Sequence, residues 1–69
     1  MIDLNLINVQ QSNMNISDEE MAKMLGFSDR STWYKYRTGA YAIKAEMLPK
    51  LSKKLHINYE DFFVKSVLK

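Results

Sequence analysis

Hydrophobic and polar positions along this chain repeat at intervals that suit short helices rather than strands. Leu4, Ile7 and Gln11 recur at helical spacing and predict a first helix over about residues 3–11. The alternation at the start of "MIDLNLINV" leaves a short strand as the alternative. The polar stretch "QQSNMN" that follows predicts a loop.

A second helix is indicated by a capping box, in which Ser17 is followed three residues later by Glu20. Its apolar stripe begins at Met21, with the small residue Ala22 beside it. Gly26 is expected to end this helix, because glycine adopts the left-handed conformation at the least cost.

A third helix is expected to begin after Ser28 or Asp29, since both are favourable N-caps. It is predicted to run to about Thr38 and to be closed by Gly39.

The third helix has two faces of different chemistry when its residues are spaced at about 100° each. Trp33 and Tyr36 lie about 60° apart on one side and are expected to be buried. Arg37 lies at the flank. The opposite arc carries the polar residues Arg30, Ser31, Tyr34 and Lys35.

Two further helices are predicted in the last third of the chain. "EMLPKLSKKL" forms a fourth helix with Pro49 in its first turn, where proline is tolerated. A fifth helix over "YEDFFVKSVLK" is capped by Asn58. Together the elements predict an all-α, compact five-helix fold in a single domain over residues 1–69. In the fourth helix Leu48, Leu51, Ser52 and Leu55 face one way. The apolar side of the fifth helix is expected to hold Tyr59, Phe62, Phe63 and Val67.

Composition limits the class of protein. With 69 residues the chain buries only a small core, and it contains no cysteine for a disulfide or a zinc–thiolate site. It shows neither a signal segment nor an apolar run near eighteen residues, so we expect a cytoplasmic protein without membrane contact. No cofactor, metal or small-molecule ligand is expected.

The charge is unevenly distributed. Residues 1–29 carry five carboxylates and one lysine, whereas residues 30–56 carry seven cations and one carboxylate. This basic middle suggests a positive face for an anionic partner, although a solvated lysine-rich helix would give the same count.

The outer arc of the third helix carries the chemistry that reads DNA. Arginine can form two hydrogen bonds with guanine O6 and N7, and lysine can reach the same atoms or a phosphate. Serine and tyrosine can contact bases or phosphates, and an α-helix fits the major groove. Arg30 and Ser31, at the helix start, are expected to point deepest, with Lys35 and Arg37 closer to the backbone.

Ala22, Gly26 and the buried pair Trp33 and Tyr36 stand at the spacing of a helix-turn-helix. The stretch "ISDEEMAKMLGFSDRSTWYKYRTG" resembles the helix-turn-helix of lambda-repressor-like, or Cro/CI-type (XRE), DNA-binding proteins. The resemblance covers about residues 16–63 and includes the Leu-Pro step and the paired phenylalanines.

The resemblance implies a domain that docks its third helix in the major groove. Base-reading positions then fall on Arg30, Ser31, Tyr34 and Lys35, and phosphate contacts in the following loop on Thr38, Ala40, Tyr41 and Lys44. The turn is one residue longer than usual. Asp18 stands where the family often has glutamine near a phosphate, so Ser17 or a backbone N–H is expected to replace that contact.

The predicted function is a sequence-specific, double-stranded DNA-binding transcriptional regulator, of the repressor kind found in phages and mobile elements. A homodimer is expected through the last helix, with Phe62, Phe63, Val67 and Leu68 as the candidate surface. The alternatives are a protein-interaction module or antirepressor with the same fold, and an excisionase-like DNA-bending protein.

An enzyme is not expected. His56 is the one histidine and follows the fourth helix, where it is expected to cap carbonyl groups. The adjacent carboxylate pairs diverge on a helix and suit its first turn rather than catalysis.

Overall fold

A computed structural model describes residues 2–63, which form a mostly helical chain, as the all-α expectation requires. The α-helices are α1 (Leu4–Asn13), α2 (Asp18–Leu25), α3 (Arg30–Arg37) and α4 (Leu48–Leu55). Two 3-10 helices span Ala45–Met47 and Tyr59–Phe62. None of the helices in residues 2–63 combines the length and apolarity that crossing a bilayer requires.

Short polar side chains set where the first three helices begin. Asp3, Ser17 and Asp29 are the N-caps of α1, α2 and α3, and each accepts a hydrogen bond from a backbone N–H in the first turn. In α2, Ser17 Oγ accepts from the N–H of Glu20 at 3.1 Å. Asp29, not Ser28, therefore caps α3, and Arg30 is its first residue.

The loop expected after about residue 11 is wrong for Ser12 and Asn13, because α1 continues to Asn13. Tertiary contacts hold this extra turn in place. The side-chain amide of Gln10 donates to the carbonyl of Leu55 at 2.9 Å, and Gln11 is buried. The chain leaves the helix through Asn15, which has a positive φ of 56°.

Gly26 forms the turn between α2 and α3, with φ at +85°. Its N–H donates to the carbonyl of Lys23 at 3.1 Å, and the N–H of Phe27 donates to Ala22 at 2.8 Å. These two bonds make a Schellman motif, which satisfies the last carbonyls of α2 and redirects the chain. Gly39 follows the C-cap of α3, Thr38, and has φ at +93°.

The core lies where α1, α2, α3 and α4 meet. Each helix contributes one apolar stripe, and Pro49 stands in the first turn of α4 as expected. Ser52 is only partly buried beside that stripe. The fully buried side chains are Trp33, Phe62, Ile7, Met21, Leu48, Leu51 and Leu55.

The expected fifth α-helix is not found in the part of it that the structure describes. Tyr59–Phe62 is a 3-10 helix, and Phe63 is extended and forms an isolated antiparallel bridge with Ile2. The N–H of Asp3 donates to the carbonyl of Phe62 at 2.6 Å. This pairing to the N-terminal segment pulls the backbone out of helical geometry. Val67 and Leu68 lie outside the described residues.

Candidate nucleic-acid interface

Helix α3 divides into a buried face and an exposed face. Trp33 has no exposed surface and Tyr36 is 9% exposed, as the helical projection predicted. Tyr34, on the other side, is 52% exposed. Four polar side chains therefore lie on one accessible face: Arg30, Ser31, Tyr34 and Lys35.

The buried side of α3 packs mainly on α2. Ala22 is 2% exposed and its small side chain allows the close approach of the two helices. Met21 is fully buried next to it. Tyr36 stacks on Phe27 of the connecting turn, with ring centroids 5.4 Å apart and planes 6° from parallel. This packing fixes the direction of α3 relative to α2.

Arg37 is engaged within the protein. Its Nε donates to Oδ1 of Asp18 at 2.8 Å, and its second terminal nitrogen donates to Oδ2 at 3.0 Å. The remaining nitrogen donates to Oδ1 of Asn8 at 3.0 Å. The guanidinium also lies 4.9 Å from the ring centroid of Tyr34. Three of its five N–H groups therefore have protein acceptors, which favours an anchoring role for Arg37 over the expected contact with the DNA backbone.

Asp18 is the centre of a polar network that joins α1, α2 and α3. Its Oδ1 also accepts from the side-chain amide of Gln11 at 2.8 Å. The carbonyl oxygen of Gln11 accepts from the indole N–H of Trp33 at 2.9 Å. Asn8 bonds the backbone carbonyl of Arg37 at 2.9 Å and completes the connection.

The network shifts the ionisation of its members. The pKa of Asp18 is lowered, first by the hydrogen bonds from the Arg37 side chain, against a smaller opposing effect of burial. Gln11 and the more distant charge of Arg30 lower it further. The hydrogen bonds to Asp18 raise the pKa of Arg37 in turn. The carboxylate at the start of α2 is thus compensated, which weakens the repulsion of phosphate expected from the sequence.

The cap of α3 carries a second shifted carboxylate. The backbone N–H of Ser31 donates to Oδ1 of Asp29 at 3.0 Å. This bond is the first cause of the lowered pKa of Asp29, with the charges of Arg30 and Lys35 contributing less. Asp29 therefore stays ionised beside the cations of the exposed face, and it reduces the positive charge at the helix start.

Ser17 is exposed at the start of α2, and its oxygen accepts the capping bond from Glu20. A hydroxyl that accepts one bond can still donate its own proton to an external acceptor. The Glu20 carboxylate does not return the capping-box bond. It accepts from Nζ of Lys54 at 2.9 Å instead.

The segment after α3 folds back on that helix. The backbone N–H of Tyr41 donates to the carbonyl of Lys35 at 3.1 Å, and Nζ of Lys35 lies 5.5 Å from the Tyr41 ring centroid. The Tyr41 ring meets Tyr36 edge to face with centroids 5.4 Å apart. The structure thus brings Lys35 and Tyr41 together, and Tyr41 remains 46% exposed.

Thr38 and Lys44 differ in what they offer. The Thr38 hydroxyl donates to the carbonyl of Tyr34 at 2.8 Å, so a phosphate contact would cost that bond. Lys44 is exposed beside a groove that Phe27 and Tyr36 also line. Neither Arg30 nor Lys44 has an ion-pair partner among residues 2–63. Ala40 is exposed in the same segment.

Asn8 is the member of this polar network that the sequence did not indicate. It bridges to Arg37 across 29 positions of the chain, and no local pattern marks such a pair. Gln11 gave a usable signal, because it is a polar residue on the apolar stripe of α1. A buried glutamine requires partners for its amide, and the network supplies them.

Comparison of the chain with protein-family models, with curated proteins and with solved structures found no match. Residues 2–63 also contain no group of three His, Asp or Glu side chains arranged to hold a metal ion.

Proposed function

We propose that the chain is a sequence-specific double-stranded DNA-binding regulator of transcription that inserts α3 into the major groove. The observation that carries the proposal is the division of α3. One face is anchored by Trp33 and Tyr36, and the other offers Arg30, Ser31, Tyr34 and Lys35 to solvent. Two helices joined by a tight glycine turn, with the second exposed, suit the helix-turn-helix mode of docking.

The proposed reading of bases depends on the first two turns of α3. Arg30 and Ser31 stand at its N-terminal end and would point deepest into the groove. Arg30 can bind guanine through two parallel hydrogen bonds, and the exposed ring of Tyr34 can contact a thymine methyl. Lys35 and its neighbour Tyr41 would flank the bases, on the side of the phosphates.

Phosphates on either side of the groove would be held by the edges of this surface. Ser17 at the start of α2 can donate its hydroxyl proton, and the helix N-terminus adds a favourable field. Lys44 supplies a cation beyond α3. Arg37 is assigned a different role, in which it holds α3 to α2 through Asp18 and supports the ring of Tyr34.

The proposed regulator acts as a homodimer, because helix-turn-helix dimers place their two reading helices on half-sites related by a two-fold axis. Phe62 is fully buried in the core and is removed from the candidate surface. Phe63 is 38% exposed and Tyr59 is 53% exposed, and their rings lie 5.8 Å apart. These two aromatic residues are the described part of the proposed dimer surface. By the same proposal the protein is a cytoplasmic repressor of the Cro/CI type.

Titrations of labelled duplex DNA across a range of salt concentrations test the proposal. Lys35→Ala and Lys44→Ala should each weaken binding on all sequences and lower the salt slope by about 1, because each removes one phosphate neutralisation. Lys53→Ala, on α4, is the matched control and should change neither the DNA affinity nor the salt slope. Equal effects of all three variants would contradict this interface and favour diffuse charge attraction. A protein that binds no duplex at low salt would favour the interaction-module alternative.

A further inference from the structure

A second groove is lined by residues outside the proposed DNA interface, and one of them, Lys50, also borders the groove beside Lys44. The second groove has a volume of about 590 Å³, which is within the range of binding sites for compact ligands or a few anchoring side chains. It lies between the segment that precedes α2, the second half of α2 and the exposed side of α4. The lining residues are Met14, Ile16, Met24, Lys50, Lys53, Lys54 and His56.

The floor of the groove is apolar and adaptable. Met14, Ile16 and Met24 pack against the core but are only partly buried, so they leave apolar surface in contact with water. Two of the three are methionines, whose unbranched side chains adjust to the shape of a partner. Covering this floor with apolar groups would remove that surface from water and favour association.

The rim of the groove is cationic. Lys50, Lys53 and Lys54 stand at i, i+3 and i+4 of α4 and so share one face of the helix. Lys54 is paired with Glu20 at 2.9 Å, which leaves Lys50 and Lys53 as the exposed charges. No acidic residue is found among the described residues that line the groove.

We propose that this groove binds an acidic amphipathic helix from a partner protein. Apolar anchors at i, i+3 or i+4 and i+7 would cover the methionine floor, and flanking carboxylates would meet the lysine rim. The sequence beyond residue 63, "VKSVLK", carries two lysines and no acidic side chain, so its charge does not complement the rim. A nucleic-acid backbone would satisfy the lysines but would leave the apolar floor uncovered.

The groove and the proposed DNA interface use different residues. None of the groove residues belongs to α3 or to the segment that folds back on it. The proposal goes beyond the DNA-binding function and stands on its own residues. A partner helix seated here could therefore recruit another protein to DNA, or be bound whether or not the chain binds DNA at all.

Selection from a display library of helix-forming peptides, with acidic, basic and neutral members in equal share, tests the proposal on the full chain. We expect enrichment of peptides that combine apolar anchors at helical spacing with Asp and Glu. The enriched peptides should bind the Lys50→Glu/Lys53→Glu double variant at least about tenfold more weakly, because the reversed charges repel them. Lys35→Glu, on α3, is the matched control and should bind them normally.

Methyl NMR locates the peptide independently, since Met14 and Met24 line the groove and Met47 is buried. The first two methyl signals should shift on peptide addition, and that of Met47 should stay. Circular dichroism verifies that the double variant is folded, and both substitutions are at exposed positions. The proposal is overturned by no enrichment, by enrichment of basic or neutral peptides, or by equal binding to the double variant. Duplex titration of the same samples reports separately on DNA binding.

Discussion

Asp18 and Arg37 meet through two parallel hydrogen bonds of 2.8 and 3.0 Å, which join the start of α2 to the end of α3. Such a fork fixes orientation as well as distance, because both planar groups must align. Oδ1 of Asn8 accepts from the remaining guanidinium nitrogen, and Nδ2 of Asn8 donates to the backbone carbonyl of Arg37. The pair therefore holds the proposed reading helix at one angle to the rest of the molecule.

Replacing Arg37 with glutamine should lower the free energy of unfolding by roughly 1–2 kcal/mol, because a partly buried carboxylate loses its charged partner. The loss is smaller than for a fully buried pair, since about a quarter of each side chain still contacts water. Urea unfolding measures it. Arg37→Lys keeps the charge but loses the two-bond geometry, so its free energy of unfolding should lie between those of the unsubstituted chain and Arg37→Gln.

The same Arg37→Gln variant separates an anchoring role from a phosphate contact. We expect its DNA affinity to fall through a less constrained α3, while the slope of log affinity against log salt stays that of the unsubstituted chain. A slope reduced by about 1, as expected for Lys35→Ala, would return Arg37 to the set of phosphate contacts.

Stability should fall in acid through Asp18. Its pKa is lower in the folded chain than the ordinary value of 3.8, chiefly because of the Arg37 hydrogen bonds. The folded state thus prefers the ionised carboxylate, so this contribution is complete above the ordinary value and is lost as the pH falls toward the lowered pKa. Unfolding curves between neutral pH and about pH 3 measure the decline.

Asp18→Asn should flatten that acid-side decline, although the lowered pKa of Asp29 leaves part of it. Glu46→Gln removes an exposed carboxylate in the 3-10 helix before α4 and serves as the control. Identical pH profiles for Asp18→Asn and the unsubstituted chain would show that the pair does not govern acid stability.

Gln11→Leu should destabilise the fold by about 1–3 kcal/mol, because the buried indole N–H of Trp33 would lose its acceptor. Asp18 and the carbonyl of Ile16 would lose a donor as well. Trp33 is the only tryptophan, so its fluorescence reports unfolding directly. Unchanged stability would mean that water or a rearranged neighbour satisfies the indole.

The local signals in the sequence predicted the boundaries of α2 and α3 well. Ser17 and Gly26 act through their nearest neighbours, so their roles can be predicted from spacing alone. For α3 the spacing left Ser28 and Asp29 as alternative caps, and the structure has Asp29. Trp33 and Tyr36 followed from the helical angle. The Arg37 pairing could not be predicted in this way, because its partners stand 19 and 29 positions earlier in the chain.

The last segment shows the limit of apolar spacing. Tyr59, Phe62 and Phe63 fit a helical stripe, yet the chain forms a 3-10 helix and then pairs with Ile2. Propensity is a weak guide where a backbone partner competes for the same groups. Ser12 and Asn13 differ in the opposite direction, because they are helical in a polar stretch where a loop is expected. The bond from Gln10 to the carbonyl of Leu55 holds this end of α1.

Positive φ angles predict a pair of opposite stability effects. His56 ends α4 with φ at 55°, a conformation that costs most residues about 1 kcal/mol, so His56→Gly should stabilise by up to that amount. Gly26→Ala should destabilise by about 1–2 kcal/mol. The added methyl group would meet no neighbouring atom, so the cost comes from the left-handed backbone conformation alone. Thermal unfolding measures both, and effects of the same sign would contradict the strain argument.

Selection of binding sites from a random duplex library tests whether the exposed face of α3 reads base sequence. We expect retention of a two-fold symmetric motif, with half-sites about 34 Å apart or a multiple of that distance. Arg30→Ala should lose about 1–3 kcal/mol on that motif and relax the preference at one base pair in each half-site. Salt-sensitive retention without a motif, or no retention at low salt, would show that α3 does not read base sequence.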